Sequence, residues 1–208
     1  MSRDAPSPGI HLETQRIVLR RLSPEDADNL YELHSDRDVM HYLTGGVPDS
    51  RERIEHEILP RYLSYYDQYE HFGFWAAEVK AVQQFIGWFL FYPYPSAPDE
   101  TEIGYRLRRS AWGNGYATEA SRALIEEGFL QLGVTKVVAE TLASNARSRK
   151  VMEALGMHLE SEFMCEEWEL PGWSDEQRRG VKYALTRQEW IVRREQSEAT
   201  TPSGRSGG

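Results

Sequence analysis

The chain has 208 residues, 40% of them hydrophobic and 27% charged. That length suits one domain with a sizeable core, and six Trp, eleven Tyr and seven Phe exclude a disordered chain. The net charge of −9 excludes DNA or RNA as a main partner, because nucleic-acid binders carry the opposite balance. An acidic surface fits cationic substrates such as amines, and it is equally ordinary for a soluble protein.

Cys165 is the one cysteine, so neither an intramolecular disulfide nor a cysteine metal cluster can form. It follows Phe163-Met164 in a strand-like run and reads as a structural thiol. The six histidines (His11, His34, His41, His56, His71 and His158) show no ligand spacing, and no metal site is read. There is no apolar run of about 18 residues. Residues 1–9 lack the apolar core of a secretory signal. The expected setting is cytoplasmic, away from membranes, as a monomer or homodimer. Residues 1–9 read as a flexible N-terminus, 10–194 as the folded domain and 195–208 as a disordered tail.

In chain order, residues 16–22 alternate, Ile17 and Leu19 against Val18 and Arg20, and read as a strand. Ser23-Pro24-Glu25-Asp26 is a helix start, with serine at the N-cap, proline in the first turn and a carboxylate at the third position. That helix runs through Leu30 and Leu33 to about Ser35, and Gly45-Gly46 breaks the chain. Ser50 opens a second helix, in which Ile54, Ile58, Leu59 and Leu63 recur at helical spacing. Residues 72–79 and 85–91 read as a hairpin. Tyr92-Pro93-Tyr94-Pro95 and Pro98-Asp99 read as a loop, and residues 102–107 as the next strand. A helix follows from about Tyr116 to Leu132, ending at Gly133. Residues 134–141 form a strand. A helix opens at Asn145 and closes at Leu155-Gly156, and residues 157–166 form another strand. Residues 168–179 are an insertion, 180–185 a last strand and 188–193 a short helical end. The sum is an α+β fold: one mixed sheet with helices on its faces.

Trp112-Gly113-Asn114-Gly115-Tyr116-Ala117-Thr118-Glu119-Ala120 carries the first chemical signal. Glycines between a strand and a helix let the backbone turn tightly and let a ligand approach the main chain. The N–H groups of the first helical turn and the helix dipole then favour an anion, so a phosphate-bearing ligand is expected there. An ATP- or GTP-binding protein is a poor match, since no Gly-Lys-Ser/Thr follows the turn.

Three segments together resemble the GNAT (Gcn5-related N-acetyltransferase) superfamily, in its RimJ/RimL-like branch of ribosomal-protein N-terminal acetyltransferases. They are Glu102-Ile103-Gly104-Tyr105, the glycine turn just quoted, and Asn145-Ala146-Arg147-Ser148 with the later Leu155-Gly156-Met157. The opening Leu12-Glu13-Thr14-Gln15-Arg16-Ile17-Val18-Leu19-Arg20 and the closing Tyr183-Ala184-Leu185 with Glu189-Trp190 are also similar to that branch. The resemblance implies an acetyl-coenzyme A wedge where two parallel strands, here 102–107 and 134–141, splay apart. It places the pyrophosphate on the N–H groups of Trp112, Gly113, Asn114, Gly115, Tyr116 and Ala117, with Thr118 also among the cofactor-binding residues. Leu107 lies at the wedge, and Asn145 contacts the pantetheine arm or simply caps its helix. Arg108 and Arg109 add cationic contacts to phosphate or are plain surface charges. Ser110 stands where many members carry Gln or Arg.

The implied chemistry is transfer of an acetyl group from a thioester to an amine in a ternary complex. Glu102 is the expected base, with a salt-bridged strand carboxylate as the alternative. Many members place an acidic tyrosine seven residues after the helix-opening asparagine. Here that position is Met152, which cannot donate a proton. The resembling branch assigns the donor role to a serine at the place of Ser148. The implied acceptor is a protein or peptide N-terminus or a small-molecule amine. The alternative is a catalytically silent acyl-CoA-binding sensor or partner module.

Overall fold

The computed structural model describes residues 9–94 and 97–200. Residues 1–8 and 201–208, expected among the flexible ends, and Pro95, expected in a loop, lie outside the described residues. β1 (Ile10–Glu13) and β2 (Ile17–Arg21) open the chain. In β2, Ile17 and Leu19 are fully buried, as the alternation predicts. The Asp26 carboxylate accepts from the Ser23 N–H at 3.0 Å and starts the turn at Pro24–Asp26. Buried Asp26 also takes two bonds from Arg20, at 2.7 and 2.9 Å, which ties that turn to β2.

α1 (Ala27–Ser35) is followed directly by α2 (Arg37–Thr44), a helix absent from the sequence reading. Asp36 caps α2 by accepting from the Asp38 N–H at 2.9 Å, and Gly45 closes it at φ +67°. α3 (Arg51–Arg53), a π-turn (Ile54–Ile58) and α4 (Leu59–Gln68) form one continuous rod. Then come β3 (Gly73–Val79), β4 (Gln84–Tyr94), β5 (Ala97–Leu107), α5 (Tyr116–Leu130), β6 (Lys136–Leu142), α6 (Ala146–Ala154), β7 (His158–Met164), α7 (Asp175–Arg178), β8 (Arg179–Thr186) and α8 (Arg187–Thr200). α8 therefore runs beyond the expected end of the helical segment and through residues read as tail.

The eight strands form one sheet in the order β1-β2-β3-β4-β5-β6-β8-β7. Every neighbouring pair is antiparallel except β5 and β6. One face carries α5, α6 and α8, through Leu124, Ile125, Phe129, Met152 and Trp190 packed on Trp75, Phe89 and Phe91. The other carries α1, α2 and the 51–68 rod, through Leu30, Leu33, Val39, Ile54, Leu59 and Tyr62 packed on Phe74, Trp88 and Leu90. Each large apolar side chain so buried contributes about 1.5–3 kcal/mol. Both layers therefore clamp β3 and β4, beside β5 and its junction with β6. The fold is a single α+β domain with a mixed sheet and helices on both faces.

Candidate active site

β5 and β6 pair in parallel only at Glu100–Lys136, Thr101–Val137 and Glu102–Val138. β5 continues to Leu107 and β6 to Leu142, yet beyond Glu102 they share no register. The sheet forks there. Which main-chain groups face the fork follows from the antiparallel alternation on the other side of β5. The Arg108 N–H donates to the Ile86 carbonyl at 2.8 Å, which sets the phase. Counting back by twos along the register, Arg106, Gly104 and Glu102 exchange bonds with β4. Ile103, Tyr105 and Leu107 then turn their main-chain groups to the β6 side, where the Glu102–Val138 pair takes the Ile103 N–H and the others face the gap. The Leu107 carbonyl is taken by the Trp112 indole at 2.9 Å. An extended ligand bearing amides can pair with the remaining edge.

At the mouth of the fork lies the glycine turn. Gly113 (φ +76°) and Gly115 (φ +79°) both hold a left-handed backbone that favours glycine. Gly115 is the N-cap of α5 and has no side chain to cap it. The N–H groups of Tyr116, Ala117 and Thr118, in the first turn, therefore have no acceptor within the helix. The Trp112 N–H is committed to the Arg109 carbonyl at 3.1 Å. Asn114 braces the turn from within, its Nδ2 donating to the Ser110 and Trp112 carbonyls at 3.4 and 3.2 Å. Glu119, a potential competitor for the anion, faces away. It accepts from the Thr14 hydroxyl at 2.6 Å and from the Arg16 N–H and Nε at 2.8 and 2.6 Å.

The two arginines before the turn are held by other partners. Arg108 donates to Asn29 at 3.2 Å and Glu32 at 2.7 Å on α1 and lies over the Phe85 ring. Arg109 pairs with Asp38 on α2. Sequence reasoning missed Arg147, whose guanidinium lies 4.5 Å from the Trp112 ring centre. It lines a cleft of about 530 Å³ with Tyr42, Arg109, Trp112 and Ser144, beside the turn.

Glu102 occupies the last paired position before the fork, on the face of the sheet that α1, α2 and α4 cover. It stands opposite Tyr92 on β4. Burial pushes its carboxyl up to about 7, and the Glu140 charge adds to the rise. The Tyr92 hydroxyl and Lys182 oppose it. Tyr94 donates to Glu140 at 2.8 Å, and Tyr65 packs edge-on against Tyr92 with centroids 5.3 Å apart. The approach to Glu102 is therefore acidic and aromatic. Four residues along the same strand and face, Arg106 lies against the neutral ring of His34, whose Nε2 is 2.7 Å away. Burial and the Arg106 charge push His34 down to about 4, against the pull of Asp49 at 2.8 Å.

On the opposite face, Tyr105 and Ser148 meet across the fork, hydroxyl to hydroxyl at 3.2 Å. Burial pushes the Tyr105 phenol up to about 12, although the Ser148 bond opposes this. Asn145 caps α6, its Oδ1 accepting from the Ser148 N–H at 3.3 Å, while its Nδ2 donates to Thr141 at 3.0 Å. Met152 is 3% exposed and packs in the core. Tyr105 is the second residue that sequence reasoning missed as a candidate, although its position three residues after Glu102 puts it on the opposite side of the strand.

The profile of the acetyltransferase (GNAT) domain matches residues 16–158, which spans the fork, the glycine turn and α6. The chain belongs to the GNAT acetyltransferases. It falls in their RimJ/RimL-like branch and is an acetyl-CoA-dependent N-acetyltransferase. An FsC-acetyl coenzyme A-N(2)-transacetylase from Aspergillus fumigatus is 29% identical over 188 residues, covering 86% of this chain and 77% of that protein. An uncharacterized N-acetyltransferase, p20, from Bacillus licheniformis is 32% identical over 153 residues, covering 72% of this chain and 83% of its own. The ribosomal-protein-S5-alanine acetyltransferase from Vibrio fischeri shares the fold with a TM-score of 0.66 at 16% identity, over 88% of this chain and 99% of that one. Among the described residues no helix is long and apolar enough to cross a membrane. Cys165 is partly buried, and burial pushes its thiol up, as suits a structural residue.

Proposed function

We propose that this GNAT acetylates a primary amine by direct attack in a ternary complex, with base and acid on opposite faces of the fork. The observation that carries the reading is the position of Glu102, a carboxyl raised to about 7 at the last paired residue before the strands part. Acetyl-CoA supplies an acyl group activated as a thioester. The free N–H groups of Tyr116, Ala117 and Thr118, with the backbone of Gly113, Asn114 and Gly115, suit its pyrophosphate. The edge groups of Ile103, Tyr105 and Leu107 suit the pantetheine amides, with Asn145 beside them.

Glu102 takes a proton from the incoming ammonium, directly or through water, so that the nitrogen lone pair can attack. A carboxyl poised near 7 is ionised often enough to accept that proton and basic enough to pull it. As the nitrogen–carbon bond forms, the carbon–sulfur bond breaks. The nitrogen then sheds its second proton, and Ser148, backed by the Tyr105 hydroxyl, passes a proton to the departing thiolate and is refilled by the one the nitrogen releases, so the serine ends neutral. Trp112 holds the Leu107 carbonyl and Asn145 sets the α6 end, so both sides of the gap keep their shape. The acidic, tyrosine-lined approach favours a cationic acceptor: a protein or peptide N-terminus, or a small-molecule amine. The named activities of the relatives fit either class.

A thiol-release screen with acetyl-CoA over N-terminal peptides and small amines tests the reading. Turnover with at least one primary amine is expected, and it should be lost in Glu102→Gln. Tight acetyl-CoA binding without turnover on any amine would turn the reading into that of a silent acyl-CoA-binding module.

A further inference from the structure

The fold brings together three side chains that no sequence spacing relates: His11 on β1, His71 between α4 and β3, and Glu127 on α5. One donor atom from each lies within 4.8 Å of the other two. His11 is fixed by stacking on Trp75, with ring centres 3.8 Å apart and planes 6° from parallel. Its side chain is 6% exposed and that of Glu127 is 12% exposed. His11 Nε2 and Glu127 Oε2 face each other at 3.0 Å, yet neither atom has a hydrogen-bond partner and both are shielded from solvent.

His11 and Glu127 are close enough to attract each other as an ion pair when the ring is protonated, but they lie outside hydrogen-bond geometry. A divalent cation between a neutral imidazole and a carboxylate would satisfy both buried atoms at once. Around a tetrahedral cation with bonds of roughly 2.1 Å, neighbouring ligand atoms stand about 3.4 Å apart. The His11–Glu127 pair is somewhat tighter than that, and the His71 donor lies within 4.8 Å of both, so a cation needs only small side-chain adjustments to be held by all three. His71 can supply the third donor. Its side chain is 48% exposed, and its Nε2 lies 3.9 Å from Glu70, too far for a hydrogen bond to hold the ring.

We propose that His11, His71 and Glu127 form a site for a divalent transition cation of the zinc class, with water completing the coordination. Two imidazoles and one carboxylate suit zinc, whereas magnesium and calcium prefer all-oxygen sets. The site's role is structural. Glu119 and Glu127 lie about two turns apart on one side of α5, and both grip the N-terminal segment. Glu119 holds Thr14 and Arg16 beside the glycine turn. Glu127 and His11, joined by the ion, hold the edge strand β1 farther along the helix.

The test uses the full chain after chelator treatment and dialysis. Zn²⁺ should bind with a stoichiometry of one per chain. At about one hundred times its Kd it should raise the melting temperature by roughly 5–10 °C. Mg²⁺ at the same concentration should not. His71→Ala, at an exposed side chain, should leave the metal-free melting temperature unchanged and weaken Zn²⁺ at least tenfold, and Glu127→Gln should weaken it likewise. X-ray absorption of the zinc-loaded protein should show two imidazole neighbours. No stoichiometric Zn²⁺ binding, equal stabilisation by Mg²⁺, or Zn²⁺ affinity unchanged in both variants would each overturn the proposal.

Discussion

Glu102→Gln separates two consequences of one buried carboxyl. Burial and Glu140 move the group from 4.5 to about 7. Each pKa unit corresponds to about 1.4 kcal/mol, so ionising Glu102 in the folded chain costs on the order of 3–4 kcal/mol more than in the unfolded chain. The sign follows from proton counts. Between pH 4.5 and 7 the folded state holds the proton longer than the unfolded state does, so wild-type stability falls as pH rises through this window. The cost is absent below it and complete above it. Glutamine cannot ionise. The variant's stability relative to wild type should therefore grow from pH 4.5 to 7 and level off beyond, while its kcat at pH 8 drops roughly 10²–10⁴-fold. Urea unfolding at pH 5 and pH 8 reads the first effect. Thiol release with the best acceptor from the screen, alongside acetyl-CoA titration, reads the second. Wild-type kcat/KM should climb through pH 7, and the variant's should not. A stability difference that stays constant with pH, or an equal loss of turnover and cofactor affinity, would refute the reasoning.

Ser148→Ala and Tyr105→Phe should each lower kcat roughly tenfold or more, and the double variant should be no slower than the slower single. Additive losses in thiol release would show that the hydroxyls act apart. Gly115→Val, forced to φ +79°, should weaken acetyl-CoA at least tenfold in calorimetry, with backbone strain of about 1–2 kcal/mol appearing as a lower melting temperature. Unchanged affinity would reject the cradle. Gly128→Ala places a methyl group 2.6 Å from Phe91 Cζ under α5 and should cost about 1–3 kcal/mol of stability with acetyl-CoA affinity retained. An unaltered unfolding curve would show that this contact has room to relax.

The cradle was legible because its signal is local: two glycines, a strand before them and an amphipathic helix after. The alternation of Ile17 and Leu19 placed β2 for the same reason. α2 was not legible, because only Val39 and Met40 in it are buried, too few to set a helical period. β4 and β5 extend into the supposed loop at Tyr92-Pro93-Tyr94. Pro93 stands opposite Thr101 in a pair whose main-chain groups do not bond each other, so its missing N–H costs that ladder nothing. The base was visible as a carboxylate on a strand that resembled a known family. Its raised pKa was not, since that comes first from burial in the assembled fold and then from the Glu140 charge on β6. Tyr105 meets Ser148 only once α6 is packed on the sheet, and His11 meets His71 and Glu127 only once α5 is, so neither grouping leaves a spacing in the sequence.

A crystal structure with coenzyme A bound tests the central claim most directly. The pyrophosphate should lie on the N–H groups of residues 113–118, the pantetheine along the free edge of 103–107, and the sulfur within hydrogen-bond reach of Ser148 or Tyr105. Coenzyme A lying in the cleft between α2 and Arg147, with the fork left empty, would contradict it.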